Sequence, residues 1–253
     1  MKKQKHYIFL GCEILCREAY HCASVSENLI DIRLIEQGLH DIGEEKMCKK
    51  LQQKIDAVDV EKYEAILLGY GLCNNGIRGL HSKIPLVIPR AHDCITLLLG
   101  SKEKYEDYFT KNPGTFFMSV GWIERAKDHL SNPESTTSRM GMATYEEYME
   151  KYGQDKAEYL MDILNDELKN YSKLAYIDTH VGDFNHYKDK VKKDARQKGW
   201  EYEELDGSTE LILNMMNGRW DERNYLVVQP GQSIEPSYDS KIINAHNGSK
   251  QMC

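Results

Sequence analysis

The hydrophobic positions of this chain follow two periods, and their alternation predicts strands that are each followed by a helix. Dense apolar runs, typical of buried strands, cover residues 7–15, 28–36, 63–70, 84–89 and 115–120. Between them, apolar side chains at helical spacing predict helices over residues 43–58 and 96–112, and a short helix over residues 18–24. The first half of the chain therefore indicates alternating β and α elements.

The same rhythm resumes after a long charged stretch. Residues 131–142 are rich in small polar side chains and predict a linker or loop, and residues 144–171 predict a long amphipathic helix. Strands and helices then alternate over residues 173–178, 185–198, 201–205, 209–216 and 225–229. The tail from Ser233 has no clear period, so we predict no regular element there.

This order of elements predicts an α/β fold with a Rossmann-like parallel sheet. Because the rhythm occurs twice, we interpret the chain as two similar halves joined by the long helix. The first Rossmann-like half covers residues 1–130, the loop and connecting helix cover 131–171, and the second β-α-β half with its tail covers 172–253. Any α/β protein shows this rhythm, so true duplication is one of two alternatives.

Composition narrows the choice of partners and compartment. The 253 residues carry a net charge of -7, which argues against nucleic acid or an anionic membrane as the main partner. No segment approaches the roughly 20 apolar residues of a membrane span. The apolar run at residues 7–10 is too short for the core of a signal peptide. We therefore predict a cytoplasmic protein that binds neither nucleic acid nor membrane.

Cysteine placement is the most informative chemical feature. The chain has seven cysteines, an odd number that favours reduced thiols over a disulfide framework. Cys12, Cys73 and Cys94 each come just after an apolar run. Ligands of open α/β sheets bind beyond the carboxyl ends of the strands, so we expect these three thiols to converge. The remaining cysteines are not expected to join them: Cys16, Cys22, Cys48 and Cys253.

Three thiolates suit zinc or an iron–sulfur cluster with one open coordination position. His92 shares a side with Cys94 if the segment is extended, and would add a fourth metal ligand. Asn75 lies in a glycine-rich loop that offers amide groups to a cofactor or anion, although its spacing matches no known phosphate loop. Two alternatives stay open for the cysteines, which are buried packing and thiolate reactivity at a helix start.

Three further residues are candidates for substrate chemistry. Arg90 follows Pro89 at a strand end and would hold a carboxylate or phosphate, with a structural ion pair as the alternative. Asp178 and His180 stand at the end of a predicted strand, where a carboxylate–imidazole pair would act as a catalytic base or orient another group. The alternative for Asp178 is that it caps the next turn.

Several segments together resemble one known family. They are Gly-Leu-Cys-Asn-Asn-Gly at residues 71–76, the run at 85–101 that contains Pro-Arg-Ala-His-Asp-Cys, and shorter stretches at 34–41, 113–115 and 121–124. This pattern is similar to the family labelled domain of unknown function 1638. The resemblance implies a bacterial or archaeal protein without a settled activity, and an association with corrinoid-dependent methyl-transfer systems.

Three functional hypotheses follow. The first is a cytoplasmic protein that binds a metal or cluster through Cys12, Cys73 and Cys94 beside a pocket for a small-molecule ligand. The second is a non-catalytic accessory protein that handles a corrinoid or metal, with proteins of a methyltransferase system as partners. The third is a metal-free thiol enzyme. The sequence leaves open whether the protein is an enzyme.

Overall fold

A computed structural model describes residues 3–129, 149–150, 153–159 and 168–248. The strands are β1 His6–Cys12, β2 Leu29–Ile35, β3 Ala65–Gly69, β4 Leu86–Pro89, β5 Thr115–Met118, β6 Lys173–Asp178, β7 Glu201–Asp206, β8 Tyr225–Val228, β9 Gln232–Pro236 and β10 Ile243–Asn247. The helices are α1 Cys16–Val25, α2 Glu44–Asp56, α3 Cys94–Leu99, α4 Lys102–Lys111, α5 Val120–His129, α6 Asn185–Lys198 and α7 Glu210–Met216.

Five strands form the main sheet in the order β2-β1-β3-β4-β8. The first four are parallel, and β8 pairs with β4 in the antiparallel direction. Every residue of β3 is buried, as expected for a central strand with both faces covered. The strand order places the carboxyl ends of β1, β3 and β4 side by side.

Two apolar layers cover this sheet. On one face α2 packs through Met47, Leu51 and Ile55 together with the β9–β10 hairpin. On the other face, α1, α3 and α7 bury their apolar sides against the strands. Burial of these faces is the main stabilising contribution to the sheet, because the apolar side chains leave water.

A second, smaller parallel sheet has the order β5-β6-β7. Its core contains Phe116, Tyr176 and Val191, the last of these from α6. Two strand pairs join residues on opposite sides of the predicted boundary at residue 130. Strand β5 lies before the boundary and pairs with β6 after it, and β4 lies before it and pairs with β8 after it. The division into two halves stays a prediction.

The α/β, Rossmann-like fold is confirmed, and two local predictions are wrong. The helix predicted over residues 96–112 is two helices, because Gly100 ends α3 at a φ of 75° and the Ser101 hydroxyl caps α4 by accepting from the Lys104 amide at 3.2 Å. The tail from Ser233 is an antiparallel hairpin that buries Ile234 and Ile243.

The predicted linker at 131–142 and most of the predicted helix at 144–171 lie outside the described residues. No helix in the described ranges is long and apolar enough to cross a bilayer.

Candidate functional site

Three cysteines gather at the carboxyl edge of the main sheet. Cys12 ends β1, Cys73 follows β3, and Cys94 follows β4 as the first residue of α3. The three thiols are free and close enough to act on one another electrostatically, since Cys12 and Cys73 each raise the pKa of Cys94. The structure thus brings together side chains that come from three separate strands.

Backbone contacts fix the two loops that carry Cys73 and Cys94. The amide of Cys73 donates to the His92 carbonyl at 2.8 Å. A Cβ atom on Gly71 would lie 2.5 Å from the Asp93 nitrogen, so only glycine lets the two loops approach this closely. The relative positions of the two thiols are therefore set by main chain as well as by side-chain packing.

Cys73 also begins a left-handed turn. The φ angles of Cys73, Asn74 and Asn75 are 45°, 53° and 66°. The turn is closed by the Gly76 amide, which donates to the Cys73 carbonyl at 3.0 Å. Left-handed geometry costs a non-glycine residue roughly 1–2 kcal/mol, less for asparagine. Such strain persists where the surroundings fix the backbone, and it is concentrated at functional sites.

Burial keeps the three thiols protonated. It raises the pKa of Cys12 and of Cys73 to about 12, and it raises that of Cys94 well above the usual value. The negative charge of Asp93 acts in the same direction on Cys73 and Cys94. Each of the three residues nevertheless keeps part of its surface accessible to solvent. A bound metal cation would instead favour the deprotonated form of the three cysteines, because thiolates are its ligands.

Asp93 anchors the start of α3, a role that the sequence interpretation missed. Its Oδ1 accepts hydrogen bonds from the amides of Ile95 at 3.0 Å and Thr96 at 3.3 Å. Its Oδ2 accepts from the Tyr105 hydroxyl at 3.1 Å. An aspartate directly before an apolar helical run is a helix-capping signal, which the sequence does contain. Asp93 thereby holds Cys94 at the sheet edge.

Tyr70 supplies a hydroxyl to the same place. Its side chain is only 4% exposed and lies beside Cys12 and Cys73. The hydroxyl is near the Cys12 thiol without reaching full hydrogen-bonding geometry, and it has no other partner in the described part of the chain. A buried, unpaired hydroxyl is costly unless a ligand completes its hydrogen bond. No periodic signal in the sequence distinguishes Tyr70 from an ordinary buried strand residue.

His92 and Asn75 lie next to the thiols without a defined ligand geometry. The His92 ring is exposed and its centre is 6.1 Å from that of Tyr105. Asn75 lies in the left-handed turn, where its carbonyl accepts from the Arg78 amide at 2.9 Å. Across residues 3–129 and the other described ranges, no three His, Cys, Asp or Glu side chains surround a single ion position. The roles of His92 and Asn75 as ligands stay predictions.

Arg90 directs its guanidinium at backbone carbonyls. Nε donates to Glu222 at 2.8 Å, and Nη1 donates to Lys241 at 2.9 Å and to Ile243. The residue is only 8% exposed and links β4 to the segments around the C-terminal hairpin. These contacts favour the structural alternative over anion binding.

Asp178 and His180 form a separate group at the carboxyl edge of the small sheet. The His180 Nε2 lies 2.6 Å from Asp206 Oδ1, and Lys188 Nζ lies 2.5 Å from Asp178 Oδ2. Hydrogen bonding to Asp206, and then the charge of Asp178, raise the pKa of His180. Within the described ranges no hydrogen bond or ion pair joins this group directly to the thiols. Helix α4 lies between them, since Tyr105 contacts Asp93 while Lys104 contacts the Asp206 carbonyl.

The other described cysteines lie elsewhere. Cys22 is buried on α1 with its thiol 3.7 Å from the Thr209 carbonyl oxygen. Cys16 lies 3.3 Å from an Arg125 nitrogen, and Cys48 lies on α2, 2.9 Å from the Arg78 carbonyl oxygen.

The structure has a surface groove of about 310 Å³ on α4 and another of about 610 Å³ along β2. Cys12, Cys73 and Cys94 line neither groove. A small-molecule pocket at the thiol edge stays a prediction.

Comparison with known protein families gives a match over most of the chain. The sequence model of a family described as "Protein of unknown function (DUF1638)" matches residues 34–216. This range includes the Cys73 and Cys94 loops and begins after Cys12. No curated protein and no solved structure matches the chain.

Proposed function

Since the chain belongs to the DUF1638 family, whose function is unknown, we propose from its own site that it binds a metal centre through Cys12, Cys73 and Cys94. One observation carries this proposal: three parallel strands deliver three free thiols to one sheet edge, where Cys12 raises the pKa of Cys73 and both raise that of Cys94. Apolar packing alone does not require thiols at all three positions.

An iron–sulfur cluster fits this donor set better than a single zinc ion. One zinc ion requires every ligand atom within about 2.3 Å of a common point. The described side chains provide no such group of three, although the thiols are mutually close. A cluster spreads its cysteine ligands over several metal atoms and tolerates wider separation. Neither His92 nor Asp93 needs to join the ligand set, because a cluster with three protein ligands keeps one position open.

The chain's own groups give the proposed site its properties. Buried thiols with a raised pKa require metal binding to release their protons, so metal loading is coupled to proton loss. The cluster itself would supply electron transfer or Lewis acidity at its open position. The Tyr70 hydroxyl is placed to donate a hydrogen bond to a sulfur, and Asp93 fixes the helix that carries Cys94.

The two alternatives differ in their support. A metal-free thiol enzyme needs a thiolate near neutral pH, and a pKa of about 12 for Cys12 and Cys73 disfavours it. The accessory role in corrinoid-dependent methyl transfer, with methyltransferase proteins as partners, rests on the family resemblance. A cytoplasmic location belongs to the proposal, since a reducing compartment keeps the three thiols available.

The test is metal loading of matched serine variants. Protein purified without oxygen and reconstituted with iron and sulfide is analysed for iron, sulfide and zinc, and for visible charge-transfer absorption. Cys12→Ser, Cys73→Ser and Cys94→Ser are each expected to lose most of the bound iron and its absorption. Cys22→Ser is the control, because burial raises the pKa of this thiol to about 12 as well, but its sulfur lies on α1 against the Thr209 carbonyl.

Each result has a distinct meaning. Stoichiometric zinc in a colourless wild type, lost in the three variants, would replace the cluster with a mononuclear site. Equal metal content in all four variants would show that the metal is bound elsewhere. A wild-type protein that holds no metal after reconstitution would overturn the proposal.

A further inference from the structure

Strand β2 forms one edge of the main sheet. It has seven residues, Leu-Ile-Asp-Ile-Arg-Leu-Ile, with neither proline nor glycine. One side pairs with β1 along the whole strand, and no strand of the described part of the chain covers the other. Edge strands of natural proteins are normally protected by proline, bulges, lysines or a covering segment.

The surface around this edge is partly apolar. Leu29 is 52% exposed, and its neighbours Tyr20 and Val25 on α1 are 56% and 54% exposed. A shallow groove of about 610 Å³ follows the edge, between α1 and the segment at Lys62 and Tyr63. Exposed apolar side chains beside an open strand edge are typical of a protein interaction surface.

Two charged side chains on β2 have hydrogen-bonding atoms that make no hydrogen bond within the described residues. Asp31 Oδ2 accepts from Lys62 Nζ at 2.6 Å and from the Tyr63 hydroxyl at 2.5 Å, whereas Oδ1 has no partner in the described ranges. Arg33 is exposed, and within the described residues only its Nη1 donates, to the Ala57 carbonyl at 3.4 Å. Asp31 and Arg33 point to the same face, because alternate strand residues share a face.

We propose that β2 pairs antiparallel with β2 of a second copy of this chain, with the two-fold axis at Ile32. In this register Asp31 stands opposite Arg33 of the partner subunit, and Arg33 stands opposite Asp31 of the partner subunit. Charged residues ordinarily oppose edge pairing, but these two have opposite signs and become complementary when the strand is reversed. A one-residue change of register would remove both pairs.

The apolar positions agree with the same symmetry. Ile30 faces Leu34 of the partner subunit, and Ile32 faces its own copy. An axis perpendicular to the sheet keeps both α1 helices on one face, so the exposed Tyr20 side chains of the two copies approach each other. The interface is isologous, as a closed dimer requires, and it joins the two main sheets into one.

The experiment measures mass as a function of concentration by sedimentation and light scattering on the full chain. The wild type is expected at about twice the chain mass of 29.3 kDa, dissociating on dilution. Arg33→Asp places like charges opposite each other twice per dimer and is expected to weaken dimerisation about tenfold or more. Arg196→Asp, the same charge change at an exposed position on α6, is the control and is expected to leave the dimer unchanged.

A mixing experiment tests the register itself. Asp31→Arg and Arg33→Asp should each dimerise poorly alone, yet together they should form a heterodimer, because every facing pair is again of opposite sign. Circular dichroism confirms that each variant is folded, and Arg33→Asp decides the question alone if Asp31→Arg is unstable. A wild type that is monomeric at all concentrations, or a dimer that Arg33→Asp and Arg196→Asp affect equally, would overturn the proposal.

Discussion

Gly71 and Asp93 meet backbone to backbone, and a Cβ atom on Gly71 would stand 2.5 Å from the Asp93 nitrogen. This approach joins the loop that carries Cys73 to the loop that carries Cys94. The spacing of the two thiols therefore depends on a residue without a side chain. It also explains why a glycine stands between β3 and Cys73.

The first prediction concerns this contact. Gly71→Ala forces the two loops apart, because neither backbone can yield without shifting a hydrogen-bonded neighbour. We expect the free energy of unfolding to fall by about 1–3 kcal/mol, as for other overpacked sites. Chemical denaturation measures this loss, and metal content after reconstitution should fall with it. If Gly71→Ala has the free energy of unfolding and the metal content of the wild type, the close contact is contradicted.

The second prediction tests the left-handed turn at Asn74. Its side chain is exposed, so substitutions there report mainly on the backbone. Asn74→Gly should leave the free energy of unfolding unchanged or raise it slightly, whereas Asn74→Val should lower it by about 1–2 kcal/mol because a β-branched residue resists positive φ. The two variants control for each other. Equal stability would show that the turn is not left-handed in solution.

The third prediction assigns the unpaired hydroxyl of Tyr70, and it rests on the proposed cluster. Tyr70→Phe should retain the metal but shift the reduction potential to more negative values by about 20–60 mV, the equivalent of one hydrogen bond to a sulfur. Tyr225→Phe is the matched control, because this buried hydroxyl donates to the Leu211 carbonyl at 2.6 Å, away from the thiols. Spectroscopic redox titration is the measurement, and identical potentials in both variants would remove Tyr70 from the site.

The fourth prediction concerns pH. Since Asp206 and Asp178 raise the folded-state pKa of His180 above 6.5, the stabilisation by this histidine is fully present below pH 6.5. It is lost as pH rises through the folded-state pKa. Proton NMR should show His180 titrating above 6.5, and Asp206→Asn should lower its pKa. Glu201→Gln at the opposite end of β7 should leave the pKa of His180 unchanged. An equal shift of this pKa in both variants would refute the hydrogen bond between His180 and Asp206.

The fifth prediction separates the two interpretations of Arg90. Arg90→Met leaves buried carbonyls without donors, and should lower the free energy of unfolding by about 2–4 kcal/mol while a folded sample retains its metal. Arg223→Met, which removes an exposed contact with Glu103, should have little effect. Unchanged stability combined with lost ligand binding would instead support the anion-binding role.

The sequence predicts the parts of this structure that depend on local patterns. The apolar runs give β1, β3 and β4, and the rule for parallel strands then places Cys12, Cys73 and Cys94 at one edge. The pairing of β5 with β6 instead of the main sheet has no local signal. The β9–β10 hairpin has little local signal, because each strand has five residues and buries one large apolar side chain, Ile234 in β9 and Ile243 in β10.

Side-chain partners from distant segments were the least predictable. Arg90 stands at a strand end, as expected, but its Nε contacts a carbonyl 132 positions further along the chain. Whether the Tyr70 hydroxyl has a hydrogen-bond partner depends on its neighbours in the folded protein. The apolar pattern of the strand does not identify those neighbours. Asp93 could have been recognised, since a helix cap is a local signal.

The antiparallel strand β8 has a consequence for biosynthesis. Ribosomes add about 5–20 residues per second, so the 132 positions that separate Arg90 from its Glu222 partner correspond to roughly 7–26 s of translation. Throughout that interval β4 has an unpaired edge on the nascent chain, while all three cysteine loops have already been made. The thiols therefore become accessible to delivery proteins or oxidants before the sheet that holds them is finished.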